Sequence, residues 1–369
     1  MKIIIDSYIP YIQGVLDLVA DVEYLPHTEI TAETVRCADA LIIRTRTQCD
    51  EKLLKGSKVK FIASATIGYD HIDAEYCRKN NIVWTNAPGC NALSVVQYMA
   101  SALSFLAKKN NFDIAQKTIG IVGVGAVGSK IAELAAGFGM RVLLNDPPRA
   151  RREGNEKFVS LAQICEQADI ISFHTPLNVS GEDCTLHLAS EDFFNALKKK
   201  PIIVNTARGE IMDTKAVLQA KKMEKISDLV IDCWEKEPTV DCELLHKTTL
   251  ATPHIAGYSA DGKANTSAYA VRAVSKFFSL GLNDWQVPEL FLNLTGFKNL
   301  LDLSDINRAA DFFLATYPIE TDSKNLQLAP ENFENQRSHY PFRREPKAYF
   351  EMLNKDFSEN FVKKFGVFA

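Results

Sequence analysis

A β-branched run that ends in three spaced glycines and continues as a helix admits few folds. Ile119-Gly120-Ile121-Val122-Gly123-Val124-Gly125-Ala126-Val127-Gly128 is such a run, and residues 129–138 continue it with a helical apolar pattern. A bare GxGxxG says little, but one placed after a strand and before a helix points to a dinucleotide site. Gly123 permits the tight turn, Gly125 lets the backbone approach a pyrophosphate, and Gly128 allows close helix–strand packing. The helix start, with Ala126 and Val127, offers unpaired N–H groups and a positive dipole end to phosphates. The next strand pattern ends at Asn145-Asp146. Asp146 lies 18 residues after Gly128, close to the ~20 expected of the acid that binds a ribose 2′-hydroxyl. A carboxylate there repels a 2′-phosphate, so NAD is expected over NADP. Arg149 argues the other way, because a nearby Arg can accommodate that phosphate.

The rest of the chain fits an α/β architecture. β-Branched runs at 3–5, 41–43, 61–63 and 82–84 are spaced widely enough for crossover helices, as are those at 119–122, 141–144, 170–173, 202–204, 229–231 and 250–251. Two doubly wound parallel sheets are expected. Apolar helical patterns at 92–107 and 260–280 flank the second series, so the first domain should be discontinuous. The expected division is 1–92 with 258–285 for substrate, 93–257 for NAD, and 286–369 as a small α+β unit. Candidate cofactor contacts also follow later strands: Thr175, Thr206, Ala207 and Asp232. Open α/β sheets bind ligands outside the carboxyl ends of their strands.

Composition excludes other classes. The 42 Lys and Arg against 46 Asp and Glu give a net charge of −4. Neither a nucleic-acid partner nor a membrane surface is expected from that balance. No apolar run approaches the roughly 18 residues of a spanning helix. The eight cysteines, at 37, 49, 77, 90, 165, 184, 233 and 242, form no CxxC pair and no zinc-spaced cluster. Free thiols in a reducing cytoplasm are expected, and no metal.

Three residues carry the chemistry. Oxidising a secondary alcohol needs a base for the hydroxyl proton, and the imidazole of His254 suits that role. A carboxylate beside it fixes the tautomer and favours the protonated form, and Glu237 is placed to do so. A guanidinium grips a substrate carboxylate bidentately, and Arg208 offers one. Singly, each has a bland alternative: a structural His, a solvated Glu, an Arg-Gly turn. Their order behind a dinucleotide fold is what joins them.

Segments 123–128, 205–209, 235–238 and 253–257 resemble the D-isomer-specific 2-hydroxyacid dehydrogenase family over about residues 1–280. The resemblance implies two Rossmann-like domains with a cleft between them, NAD as cofactor, and Arg208, Glu237 and His254 as the catalytic residues. Segments 87–92, 145–150, 173–177 and 254–259 are similar to the branch that oxidises 4-phospho-D-erythronate in pyridoxal 5′-phosphate (vitamin B6) synthesis. That branch implies Thr45, Thr66 and Tyr258 as substrate contacts, Gly257 as a cofactor contact, and a homodimer built by the C-terminal unit. Phe312, Phe313, Tyr349 and Phe350 are the rings expected at that interface. Arg44 and Arg46 bracket Thr45 as candidate phosphate ligands, with Arg343 and Arg344 next. Two rivals stay open: a relative acting on 3-phosphoglycerate, and a non-catalytic NAD-sensing interaction protein.

Overall fold

The structure, a computed structural model, describes residues 1–288, 290 and 308–368. Part of the expected dimerisation segment, 289, 291–307 and 369, lies outside the described residues. The chain divides into two units, Met1–Asn91 with Ser259–Phe291, and Ala92–Tyr258 with Leu292–Ala369.

The first unit holds β1 (Lys2–Asp6), β2 (Asp21–Leu25), β3 (Ala40–Ile43), β4 (Phe61–Ser64) and β5 (Val83–Thr85). They form one parallel sheet in the order β2-β1-β3-β4-β5. Side chains alternate faces along a strand, so both faces need cover. Ile3, Ile5, Ala40, Ile42 and Phe61 pack under Ala270, Val271 and Val274 of the Ala260–Phe278 helix. Ile4, Leu41, Ile43 and Ile62 pack with Leu53, Leu54 and Cys77 on the other face. The edge strand β2 is the one the sequence does not announce. Its Asp-Val-Glu-Tyr-Leu run is half exposed, with no apolar stretch to mark it.

The second unit holds β6 (Thr118–Val122), β7 (Arg141–Asn145), β8 (Ile170–Phe173), β9 (Ile202–Asn205), β10 (Leu229–Ile231) and β11 (Leu250–Ala251). All pair in parallel, in the order β11-β10-β9-β8-β6-β7. The chain steps from β6 outward to β7, then returns to the far side of β6 as β8. That reversal is a topological switch point, where such sheets open a crevice at their carboxyl ends.

The C-terminal residues sharpen one expectation and correct another. Of the expected small α+β unit, residues 308–368 show helices, 3₁₀ turns and a single-residue bridge at Arg343, with no strand among the described residues. The aromatic positions explain this, because Phe357, Phe361 and Phe365 recur every four residues, a helical stripe. Phe312, Phe313 and Tyr349 are not at an open surface. All three are fully buried in the second unit's own core, with Phe361, Phe365 and Phe368 around them, and Phe350 is half-buried. The Phe365 ring packs edge-on to Phe138 at 4.9 Å, and a Cβ at Gly137 would stand 2.5 Å from it.

The Ala92–Asn110 helix runs beneath this cluster and is buried along most of its length. Buried polar groups need partners, and the C-terminal segment supplies them. Ser101 Oγ donates to the Phe313 carbonyl (3.0 Å), Gln97 Nε2 to the Arg344 carbonyl (3.1 Å), and Ser94 Oγ to Glu345 (2.9 Å). Among the described residues, no helix is long and apolar enough to cross a membrane.

Candidate active site

The three glycines after β6 differ in what surrounds them. Gly123 has φ +88°, and a Cβ there would meet the His174–Thr175 backbone after β8 at 2.7 Å. At Gly128 it would stand 2.0 Å from the Gly123 carbonyl oxygen. At Gly125 it would meet nothing within 4 Å. Two glycines therefore close the turn at the switch point, and the third leaves its outer face open at the start of the Ala126–Gly137 helix.

Asp146 is drawn to this loop. One carboxylate oxygen accepts from the Val124 N–H (2.8 Å), and the other caps the Pro147–Glu153 helix through the Arg149 N–H (3.0 Å). A carboxylate has about four acceptor sites, so capacity remains for ribose hydroxyls. Arg149 does not present an uncompensated charge there. Its Nε and Nη2 hold Glu153 bidentately at 2.9 and 2.7 Å, and Nη1 donates to the Val124 carbonyl. Arg149 and Arg152 in turn hold the Glu153 carboxyl down at about 2.

Thr175 has a buried hydroxyl oxygen with no hydrogen-bond partner among the described residues. Beside it, burial lowers His174 to about 3, so its ring is neutral, with Nε2 2.8 Å from Ser172 Oγ. Thr206 Oγ1 lies 3.4 Å from His174 Nδ1, and the Ala207 N–H donates to Asn205 Oδ1 (3.1 Å). An orphaned hydroxyl and an open glycine face on one sheet edge fit a dinucleotide there.

Arg208 follows β9 and leads into a 3₁₀ turn, Gly209–Ile211. A Cβ at Gly209 would stand 1.9 Å from the Trp234 carbonyl carbon. Only glycine lets the Arg208 loop lie flat on the loop that carries Glu237. Gly209→Ala should therefore part the two loops and destabilise the fold by about 1–3 kcal/mol. Thermal denaturation checks this, and a variant as stable as wild type would show that the loops have slack.

Glu237 and His254 form the central pair. The His254 Nδ1–H is shared between the two carboxylate oxygens, at 2.8 Å to Oε2 and 3.0 Å to Oε1, and the Trp234 N–H adds 2.9 Å to Oε1. Burial alone would raise the Glu237 carboxyl. His254, Trp234 and Arg337 outweigh it and hold the group below the usual range. With Nδ1 committed to Glu237, Nε2 is the ring atom that can take a proton. His254 has φ +56°, a left-handed conformation uncommon for a side-chain-bearing residue.

Asp232 shows what holds it there. The Asp232 carbonyl accepts the His254 N–H (2.8 Å). Its side chain accepts from Thr252 Oγ1 (2.6 Å) and from the N–H groups of Ile255 (2.8 Å) and Ala256 (3.0 Å). Asp232 is 1% exposed. With both oxygens engaged by its own chain, it clamps the His254 loop.

The C-terminal segment adds two arginines whose roles no local sequence pattern reveals. Arg343 is not at a surface where it could read a phosphate. Its five N–H donors are matched by five bonds: Gln97 Oε1, the Tyr340 hydroxyl, and the carbonyls of Ile255, Ala256 and Ser94, at 2.7–3.3 Å. It braces the residues that follow His254. Arg337 approaches Glu237, with Nη1 3.7 Å from Oε2, and lies 6.0 Å from the Tyr258 ring centroid. Tyr258 packs edge-on to Tyr340 and Phe342, while Gly257 joins it to the His254 loop.

Cys233, Glu237 and His254 also bring one ligand-type atom each within 4.8 Å of one another. Burial pushes the Cys233 thiol well up, and nearby Asp232 and Glu237 push it further. A protonated thiol beside an engaged carboxylate suits acid–base chemistry better than a metal.

On the first unit, Ile43 of β3 is in register with Ser64 of β4. Thr45 and Thr66 each lie two residues beyond, so they leave one sheet edge together. Thr45 is exposed, and Thr66 Oγ1 contacts Ser64 Oγ (2.6 Å) and the Gly68 carbonyl (3.1 Å). Arg44 donates to the Tyr8 carbonyl (3.2 Å), tying the loops after β1 and β3.

Comparison with known proteins bears on the whole chain. Residues 97–256 match the family described as D-isomer specific 2-hydroxyacid dehydrogenase, NAD binding domain. The erythronate-4-phosphate dehydrogenase of Bacteroides thetaiotaomicron is 51% identical over 351 residues, covering 95% of this chain and 98% of that one. The chain belongs to the erythronate-4-phosphate dehydrogenase family. A second member, from Porphyromonas gingivalis, is 41% identical and covers 95% of each chain. Among solved structures, NAD⁺-bound 3-phosphoglycerate dehydrogenase from Entamoeba histolytica superposes with a TM-score of 0.64 at 27% identity. It covers 79% of this chain and 99% of its own. D-lactate dehydrogenase from Aquifex aeolicus, complexed with NAD and lactic acid, gives 0.62 at 25% identity, covering 76% and 96%. The family's erythronate members therefore extend along parts of this chain that these shorter dehydrogenases lack.

Proposed function

We propose that this chain oxidises 4-phospho-D-erythronate to (R)-3-hydroxy-2-oxo-4-phosphooxybutanoate with NAD, a step toward pyridoxal 5′-phosphate. The observation that carries this is the His254–Glu237 pair beside the Arg208 loop, in a chain that matches erythronate-4-phosphate dehydrogenases end to end. NAD, when bound, supplies the hydride acceptor. Gly123, Gly125, Gly128 and the helix start at Ala126 and Val127 hold its pyrophosphate, and Asp146 its ribose. Thr175, Thr206, Ala207, Asp232 and Gly257 make the remaining contacts. His254 Nε2 takes the C2 hydroxyl proton. Glu237 fixes the ring and stabilises the imidazolium that forms. The Arg208 guanidinium grips the substrate carboxylate, and Thr45, Thr66 and Tyr258 bind the rest of the molecule.

The test is NADH formation from 4-phosphoerythronate. Faster turnover of 3-phosphoglycerate would favour the reading suggested by the Entamoeba neighbour. NAD binding without turnover of either would favour a sensor. We assign the protein to the cytoplasm on its eight free cysteines, and we assign it a homodimer by family resemblance. The C-terminal segment does leave Leu328, Phe342 and Met352 exposed. Light scattering of the full chain decides the dimer, and a monomer at micromolar concentration would end it.

Asp146→Ala should weaken NAD binding about tenfold or more and narrow the preference over NADP, because hydrogen bonds to a charged group are worth about 1.5–3 kcal/mol. Fluorescence titration with both cofactors measures this. Unchanged affinities would take Asp146 out of the ribose site.

A further inference from the structure

Arg337 is a guanidinium at the catalytic pair that the mechanism above does not use. It sits on the short Phe333–Ser338 helix, with its side chain only 20% exposed. Its Nη1 stands 3.7 Å from Glu237 Oε2, too long for a hydrogen bond. Glu237 already accepts from His254 and Trp234. The Arg337 Nε is buried and has no hydrogen-bond partner among the described residues.

The contrast with Arg343, six residues on, is informative. Both arginines lie in the same segment, Arg343 buried and Arg337 half-buried. Arg343 matches every donor with an acceptor of its own chain. Arg337 keeps a buried donor unmatched, which ordinarily costs about 1–3 kcal/mol. A charge held beside the base also opposes the imidazolium that must form when the base takes its proton. Both costs are offset if an anion settles on Arg337 when substrate binds. Guanidinium forks fit phosphate oxygens well. The proposed substrate has two anionic ends, and Arg208 accounts for the carboxylate.

We propose that Arg337 reads the substrate phosphate, approaching it over the Tyr258 ring. This rests on the function proposed above. Phosphate binding then does two things: it adds affinity, and it neutralises the cation next to Glu237 and His254. The C-terminal segment thereby becomes a specificity element for phosphorylated 2-hydroxy acids.

The test compares 4-phosphoerythronate with unphosphorylated erythronate in wild type, Arg337→Gln and Arg337→Lys. Wild type must first turn over 4-phosphoerythronate with NAD, and failure there overturns the proposed function and this inference with it. Given that activity, Arg337→Gln should lower kcat/KM for 4-phosphoerythronate by about 10–100-fold, from the ~1.5–3 kcal/mol of a charged hydrogen bond. For erythronate, kcat/KM should not fall by more than about threefold. Arg337→Lys should recover part of the loss, and the Kd for NAD should not move in either variant. Equal losses on both substrates would give Arg337 a merely structural role. No loss on either would return the phosphate to Arg44 and Arg46 of the first unit. Each of those results overturns the inference while leaving the proposed function standing.

Discussion

His254→Asn should lose about 10²–10⁴-fold in kcat, the usual worth of a general base, while binding NAD as tightly as wild type. Asn is the better probe than Ala because the position is left-handed, at φ +56°. Asn tolerates that conformation, so the variant keeps the loop and removes only the imidazole. His254→Ala would mix the chemical loss with backbone strain. The NAD titration separates the two, since the glycine loop and Asp146 lie on β6 and β7, away from this residue. Turnover within a factor of two of wild type would show that another group takes the proton.

Glu237→Gln should be nearly as damaging, on the order of 10²-fold or more in kcat, for two reasons. The amide removes the negative charge that stabilises the imidazolium. It can also present an NH₂ group toward Nδ1, which turns the ring to the wrong tautomer. A pH signature accompanies this. The Glu237 carboxyl is held below its ordinary value in the fold. A depressed native value contributes stability above the unfolded carboxylate range, and that contribution is lost as pH falls through the native value. Wild type should thus exceed Glu237→Gln by up to about 1.5–3 kcal/mol near neutral pH. The gap should close as pH drops below about 4. Urea melts at several pH values measure it, and a gap that widens below about pH 4 would contradict a carboxyl held low in the fold.

Much of the site was legible because its chemistry is local. Three glycines, each demanded by a backbone contact or an opening, appear as a six-residue motif. Arg208 is flagged by the glycine after it, which the Trp234 carbonyl requires. Buried central strands such as Ile3–Ile5 stand out because both faces are covered, so their residues are continuously apolar. Strand β2 did not stand out, since an edge strand needs cover on neither its outer rim nor its whole face. The C-terminal segment was misread for a related reason. Phe312 and Phe313 look the same in sequence whether they fill a core or await a partner, and only the helix beneath them decides. Arg337 and Arg343 were opaque because Glu237, Ile255 and Ala256, the site residues they meet, lie 87 to 100 residues away in the chain.

The aromatic core sets the order in which this protein can be completed during synthesis. Val95 and Phe368 belong to one apolar cluster. The ribosome makes the Ala92–Asn110 helix early and the rings that seal it last. Until Phe361, Phe365 and Phe368 emerge, the nascent second unit presents Phe138 and a largely apolar helix to solvent, a state prone to aggregation. Phe368 is therefore structural, only 2% exposed.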